Sequence, residues 1–163
     1  MPVPASDDAY RRFMSWRRPF EVGFWILLTG SNFIGNSITT LMEIRRGESD
    51  ILAWEPMVWE LSSALMWLLV LLPMIVWFTR RFPLHWETWR RLLPWYVLAS
   101  IVVSALHVAG MVGIRMLVYR WQGMDYDFGP WGREFVYEYM KDFRSFASIV
   151  AIIEGYRFVL RRW

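Results

Sequence analysis

Residues 57–78 hold one charged side chain, Glu60, and their centre, Leu65-Met66-Trp67-Leu68-Leu69-Val70-Leu71-Leu72, holds none. A helix needs about 20 predominantly apolar residues to cross the hydrocarbon of a bilayer, and this stretch meets that length. Composition argues the same way. Of 163 residues, 56% are hydrophobic and 20% charged, whereas a soluble domain averages about 45–50% and about 25%. Length and composition therefore predict an all-α membrane protein of one domain, with no room for a separate cofactor domain.

Three further segments fit that class. A first span over residues 22–42 begins with Phe24-Trp25-Ile26-Leu27-Leu28 and then turns small and polar through Gly30, Ser31, Asn32, Gly35, Asn36, Ser37, Thr39 and Thr40. Its length suffices only if that polar stripe faces other protein. Residues 43–55, charged and containing Gly47, read as a loop. Pro56 suits the first turn of the second span, where a missing N–H is harmless, and Pro73 predicts a kink one turn before that span's end. The third span covers residues 92–119. Its Ala105, Ala109 and Gly113 are spaced by four and predict a close helix–helix contact. After a turn-rich loop over 121–132, a last helix covers 134–163, with an apolar centre from Phe146 to Ile153.

The net charge of +3 is carried by arginine, since Lys141 is the only lysine. Arginines precede the first span (Arg11, Arg12, Arg17, Arg18), separate the second from the third (Arg80, Arg81, Arg90, Arg91) and close the chain (Arg157, Arg161, Arg162). The two remaining loops carry only Arg45 with Arg46, and Arg120 with Arg133, offset by Glu43, Glu48, Asp50, Glu55, Asp125 and Asp127. Alternation of this kind predicts four crossings of a bacterial inner membrane with both termini in the cytoplasm. It also explains the basic pI of about 9.5 without any direct nucleic-acid contact. Trp54, Trp59, Trp86, Trp89, Trp95, Trp121 and Trp131 would lie near headgroups. Residues 1–20 lack a secretory pattern. With Tyr10, Phe13 and Met14 on one face beside arginines, they predict a short interfacial helix. The expected fold is an integral membrane four-helix bundle over 21–163 behind that basic segment.

Sites with known chemistry are mostly excluded. The chain has no Cys, so disulfides, thiolate metal sites and cysteine nucleophiles are out. Gly30-Ser31-Asn32-Phe33-Ile34-Gly35-Asn36-Ser37 has the glycine spacing of a phosphate loop, but Asn36 stands where lysine is required and no strand precedes it. His85 and His107 are the only histidines. Their placement predicts neither bis-histidine haem nor zinc, so no metal and no cofactor is expected. No nucleophile elbow, zinc-helix pair or serine–histidine pairing is legible.

Topology suggests one constellation. The predicted crossings bring Asn32 and Asn36 of the first span, Glu60 of the second, His107 and Arg115 of the third, and Tyr137, Lys141 and Asp142 of the last toward the outer half of the bundle, with Ser37, Thr40, Ser62, Ser63, Glu138 and Arg144 on the same side. Convergent polar side chains among apolar walls are how a small-ligand site is built. Salt bridges that only fix packing, Glu60–Arg115 foremost, would read the same way.

Several stretches also resemble a known family. Ala53-Trp54-Glu55-Pro56, Trp77-Phe78-Thr79-Arg80-Arg81-Phe82-Pro83-Leu84-His85, Leu106-His107-Val108-Ala109-Gly110-Met111, Tyr137-Glu138-Tyr139-Met140-Lys141-Asp142 and Ile153-Glu154-Gly155-Tyr156-Arg157 look similar to the membrane domain of bacterial LytTR-type transcriptional regulators. Membrane regions of LytS-type sensor histidine kinases are related to it. The resemblance implies a four-helix membrane domain ahead of a cytoplasmic DNA-binding domain, and this sequence stops at Trp163 without one. The expected role is a non-enzymatic membrane sensor or anchor. It would act as a dimer, take a small-molecule ligand and relay an outer-side signal to a cytoplasmic effector. The alternative is a small proton-coupled transporter or membrane enzyme using Glu60, His107 and Asp142.

Overall fold

The computed structural model describes residues 5–46, 51–84 and 87–162, with side chains over 15–46, 51–84 and 87–160. Expectations that fall on Gly47, Glu48, Asp50, His85 and Trp86, and on side chains of residues 1–14 and 161–163, lie outside the described residues. Helices account for nearly all of the rest: α1 (Ala5–Arg46), α2 (Glu55–Arg81), α3 (Trp89–Trp121) and α4 (Trp131–Arg162). No strand occurs among the described residues, so the all-α class holds. Two helices, α2 and α3, are long and apolar enough to cross a membrane. The chain divides into two compact units, one holding α1 and the other α2 to α4.

In its own unit, α1 runs unbroken through Pro19, so the basic N-terminal segment and the first span are one helix rather than two elements. A proline inside a helix removes one backbone hydrogen bond. The Arg17–Glu21 ion pair, 2.7 Å long, spans the proline and holds that turn. The helix also continues to Arg46, past the loop start expected at residue 43. Two arginines in its last turn complement the negative end of the helix dipole. Much of the polar stripe is satisfied locally. Ser31, Asn32 and Thr39 donate to the carbonyls of Leu27, Leu28 and Gly35 one turn back. Such side chains cover their own polarity without a partner helix.

In the second unit, α2 packs along α3, α3 along α4, and the later part of α2 also meets α4. Pro56 sits in the first turn of α2, as its missing N–H favours. Near Pro73 the helix does something other than break. Pro73 can give no N–H to Leu69 and its ring crowds that carbonyl. The turn before it, Trp67–Leu71, widens into π-helix, with the Leu72 N–H bonded to the Trp67 carbonyl. A π turn of this kind absorbs a local defect and re-aims the side chains it carries. The loop between α3 and α4 turns at Gly123 (φ 72°) and Gly129 (φ 83°), conformations that favour glycine. At Gly129 the backbone N–H also donates to Asp127 Oδ1 at 2.8 Å. The loop lays Tyr126 and Phe128 on the buried Val108, Met111 and Val112 of α3.

The small-residue row of α3 is not where the sequence placed it. Ala105 and Ala109 are exposed, and a Cβ added at Gly113 meets nothing within 4 Å. The buried row is Ser104, Val108 and Val112, one residue earlier and so about 100° around the helix. The close approach is at Gly110, where a Cβ would run into the Met66 thioether. Gly110→Leu should therefore lower stability in detergent by about 1–3 kcal/mol through overpacking. Gly113→Leu should be neutral or slightly stabilising, because leucine is the better helix former. Thermal melts of both variants check this; a destabilised Gly113→Leu beside an unaffected Gly110→Leu would reverse the assignment of the contact face.

Candidate functional site

Each of the three packed helices brings polar side chains to one buried place. From α3 comes His107, with Ser104 one turn before it; from α4 comes Asp142; from α2 comes Ser63, with Trp67 one turn after it. His107 Nδ1 lies 2.8 Å from Asp142 Oδ1, and Ser104 Oγ donates to Asp142 Oδ2 at 2.7 Å. Ser63 Oγ lies 2.9 Å from His107 Nε2. With the ring proton on Nδ1, the imidazole donates to the carboxylate and accepts from Ser63. Relative exposures of 2% for His107 and 3% for Asp142 put the pair out of water. There an unmatched donor or charge would cost several kcal/mol, which is why every heteroatom of the pair is matched. Trp67, aimed by the π turn, covers the imidazole with its ring at a centroid distance of 5.5 Å.

Glu138 lies one turn before Asp142 on α4 and belongs to the same place. One ligand-type atom from each of His107, Glu138 and Asp142 lies within 4.8 Å of the others. Lys141 donates to both Glu138 oxygens, at 3.1 and 3.2 Å, from a half-exposed position. Beside this group Ser100 Oγ and the Tyr139 hydroxyl stand 3.3 Å apart, a second polar link between α3 and α4.

A separate network closes the Glu55 end of α2. The Glu55 carboxylate accepts the Leu52 N–H at 2.9 Å and the Tyr119 hydroxyl proton; Tyr119 in turn accepts from Trp59 Nε1 at 2.8 Å. Arg115 donates to Ser62 Oγ, to the Trp59 carbonyl and to the Tyr126 hydroxyl at 3.0, 3.0 and 2.8 Å. Its guanidinium is thus held by neutral acceptors on α2 and the α3–α4 loop, and the expected Glu60–Arg115 salt bridge does not form. The physical reason is reach: Ser62 and the Trp59 carbonyl present two acceptors to the forked guanidinium on the face of α2 that meets α3.

Of the eight residues singled out by sequence, the structure joins His107 and Asp142 directly. Arg115 belongs to the other network. Tyr137 and Lys141 lie on the exposed face of α4, with the ammonium over the Tyr137 ring at 5.2 Å. Asn32 and Asn36 belong to α1, where both are exposed and the Asn32 amide returns to its own helix. Ser63 and Glu138 come from the wider set of polar residues that topology sends the same way; Ser104 and Trp67 are the members that sequence reasoning left out. A serine–histidine pairing exists after all, and so do acidic neighbours for His107. The signal that could have found them is helical spacing: Ser63 and Trp67, Ser104 and His107, Glu138 and Asp142 are each three or four apart, one pair per helix.

The geometry separates a true pair from an assumed one. In a double-mutant cycle, Asp142→Ala and His107→Ala should couple by more than about 1 kcal/mol, as expected for a charge-assisted buried hydrogen bond. Glu60→Ala and Arg115→Ala should be additive within about 0.5 kcal/mol. Additivity at His107 and Asp142, measured by unfolding in detergent, would mean the node holds no energy.

Scans against models of known protein families and searches of curated proteins and of solved structures find no match to this chain.

Proposed function

We propose that the chain is a membrane-embedded sensor or anchor module of a bacterial signalling protein. In this reading α1 to α4 cross the inner membrane as a bundle, both termini are cytoplasmic, and a dimer is the working unit. The observation that carries it is the outward face of α2 to α4. Leu69 and Leu117 are 66% and 71% exposed, while Ser62, Ser104, His107 and Asp142 are buried along with Leu71, Ile75 and Met111. Large apolar side chains turned outward while ionisable groups are held inside suit lipid rather than water. Trp89, Trp95, Trp121 and Trp131, all exposed and near helix ends, suit the two interfaces.

What favours a sensor over a passive anchor is the way α4 is held. Asp142 ties it to α3, and fifteen residues on, about 22 Å along the helix, Arg157 donates to the Thr79 carbonyl near the end of α2 at 2.9 Å. A ligand that prefers one arrangement of the first latch biases the second, and hence whatever follows α4 in the cytoplasm, by its difference in affinity for the two states. The resemblance to LytTR-type membrane domains points to a transcriptional effector in that place.

The absence of Cys makes topology directly testable. A cysteine replacing Asp127 should react with an impermeant thiol reagent on intact cells, and one replacing Glu87 should be protected; both positions are exposed. Reversed labelling would overturn the orientation, and equal labelling the membrane reading. For the relay, spin labels at Arg80 and Val159 should show a changed distance distribution in bilayer discs when Asp142 is replaced by Asn. An unchanged distribution would leave only an anchor.

A second reading rests on the order Ser63, His107, Asp142, the connectivity of a hydroxyl, its base and the base's orienting carboxylate. That reading makes the chain a membrane enzyme with Ser63 as nucleophile. A fluorophosphonate probe should then label the folded parent and fail to label Ser63→Ala; a parent that stays unlabelled ends it.

A further inference from the structure

We infer that His107, Asp142 and Glu138 form a binding site for one divalent first-row transition-metal ion. Three features of the node converge on that ligand.

The first is how the outward atoms of the two buried residues are engaged. Ser63 occupies His107 Nε2 and Ser104 occupies Asp142 Oδ2. Both serines come from outside the trio and tie off the far side of each residue, leaving Nδ1 and Oδ1 facing each other at 2.8 Å. Outer partners on the second ring nitrogen and the second carboxylate oxygen are what fix the tautomer and orientation of metal ligands. With Nδ1 given to an ion, the remaining ring proton sits on Nε2 and is donated to Ser63.

The second feature is charge. Glu138 and Asp142 lie one turn apart on the same helix, with side-chain exposures of 12% and 3%. Two carboxylates against one half-exposed ammonium leave the node one negative charge in excess when His107 is neutral. In a low-dielectric interior that excess is costly. A divalent cation on Nδ1, with the ring proton moved to Nε2, takes the node from one negative to one positive charge; the Lys141 ammonium is then free to leave Glu138 for water, and the ion with its two carboxylates is neutral.

The third feature is reach. Metal bonds of about 2.0–2.2 Å place tetrahedral ligand atoms about 3.3 Å apart. Nδ1 and Oδ1, 2.8 Å apart across their hydrogen bond, need to open by only about 0.5 Å to admit an ion. The trio fits within 4.8 Å, and the remaining difference is within the swing of the Glu138 side chain once it releases Lys141. One imidazole and two carboxylates select zinc, manganese or ferrous ions over calcium, and three protein ligands leave a position open for water.

That the ion is the signal rests on the sensor reading; that it binds does not. The test uses the whole chain in detergent, with Zn²⁺ as titrant and Co²⁺ as spectroscopic probe. The parent should bind one Zn²⁺ per chain, melt at a higher temperature with it, and give the visible absorption of Co²⁺ held by nitrogen and oxygen. Glu138→Gln and Asp142→Asn should weaken binding at least tenfold. Ser104→Ala, which removes no ligand, should also weaken it, by ten- to a hundredfold. His85→Gln, which removes the chain's other histidine, should change nothing. Binding that is absent from the folded parent, or that survives Glu138→Gln and Asp142→Asn alike, overturns the site. Binding with spin-label distances at Arg80 and Val159 unchanged by Zn²⁺ keeps the site and removes the ion as the signal.

Discussion

A carboxylate and an imidazole 2.8 Å apart, both almost wholly out of contact with solvent, set the terms for the packing of α2, α3 and α4. Neither group can be placed alone in such surroundings, because an unmatched buried charge costs far more than the pair returns. Each helix is therefore held not only at a packing distance but in a particular register along its neighbour. Slide α4 by one turn and Asp142 loses both His107 and Ser104. Slide α2 and Ser63 leaves the imidazole. Apolar contacts among helices tolerate many registers when lipid is as apolar as the side chains it would replace. The polar node does not, and together with the Arg115, Trp59–Tyr119 and Arg157–Thr79 bonds it ties each helix to one register.

The π turn in α2 belongs to the same arrangement. Pro73 disrupts one backbone hydrogen bond, and the helix continues through it by widening over Trp67–Leu71. The residue that opens the widened turn, Trp67, lies over His107. Met66, immediately before it, fills the space left open at Gly110 of α3. A backbone defect, a glycine and an aromatic ring thus meet at the level of the node. The turn that carries the π widening therefore contacts both the imidazole and the open face of α3 at Gly110.

The second network closes the end of the three-helix unit where α2 begins and α3 finishes. Glu55, Trp59, Tyr119, Arg115 and Tyr126 form a chain of donors and acceptors around edge-to-face rings, with Tyr119 against Trp54 at 5.0 Å and Tyr126 at 5.1 Å. Its cation is shared among neutral oxygens, so it resists separation without depending on any single partner. It braces the end of the unit, whereas the histidine node turns on the one hydrogen bond between His107 and Asp142.

Much of this architecture is legible in the amino-acid sequence, because helix class and length follow from local rules. Apolar runs of sufficient length, Pro56 at a helix start, and Gly123 and Gly129 at turns are decided within a few residues of themselves. His107 and Asp142 stood out for the same reason, as ionisable groups in apolar helices need a partner. What the sequence could not decide is which partner. Arg115 meets Ser62, Trp59 and Tyr126 rather than Glu60, Gly110 rather than Gly113 touches its neighbour, and of the serines it is Ser63 and Ser104 that reach His107 and Asp142. Each of those choices depends on how far one helix is turned and shifted against another, and one residue of rotation is about 100°. Local sequence determines a helix; only packing determines which of its faces meets which.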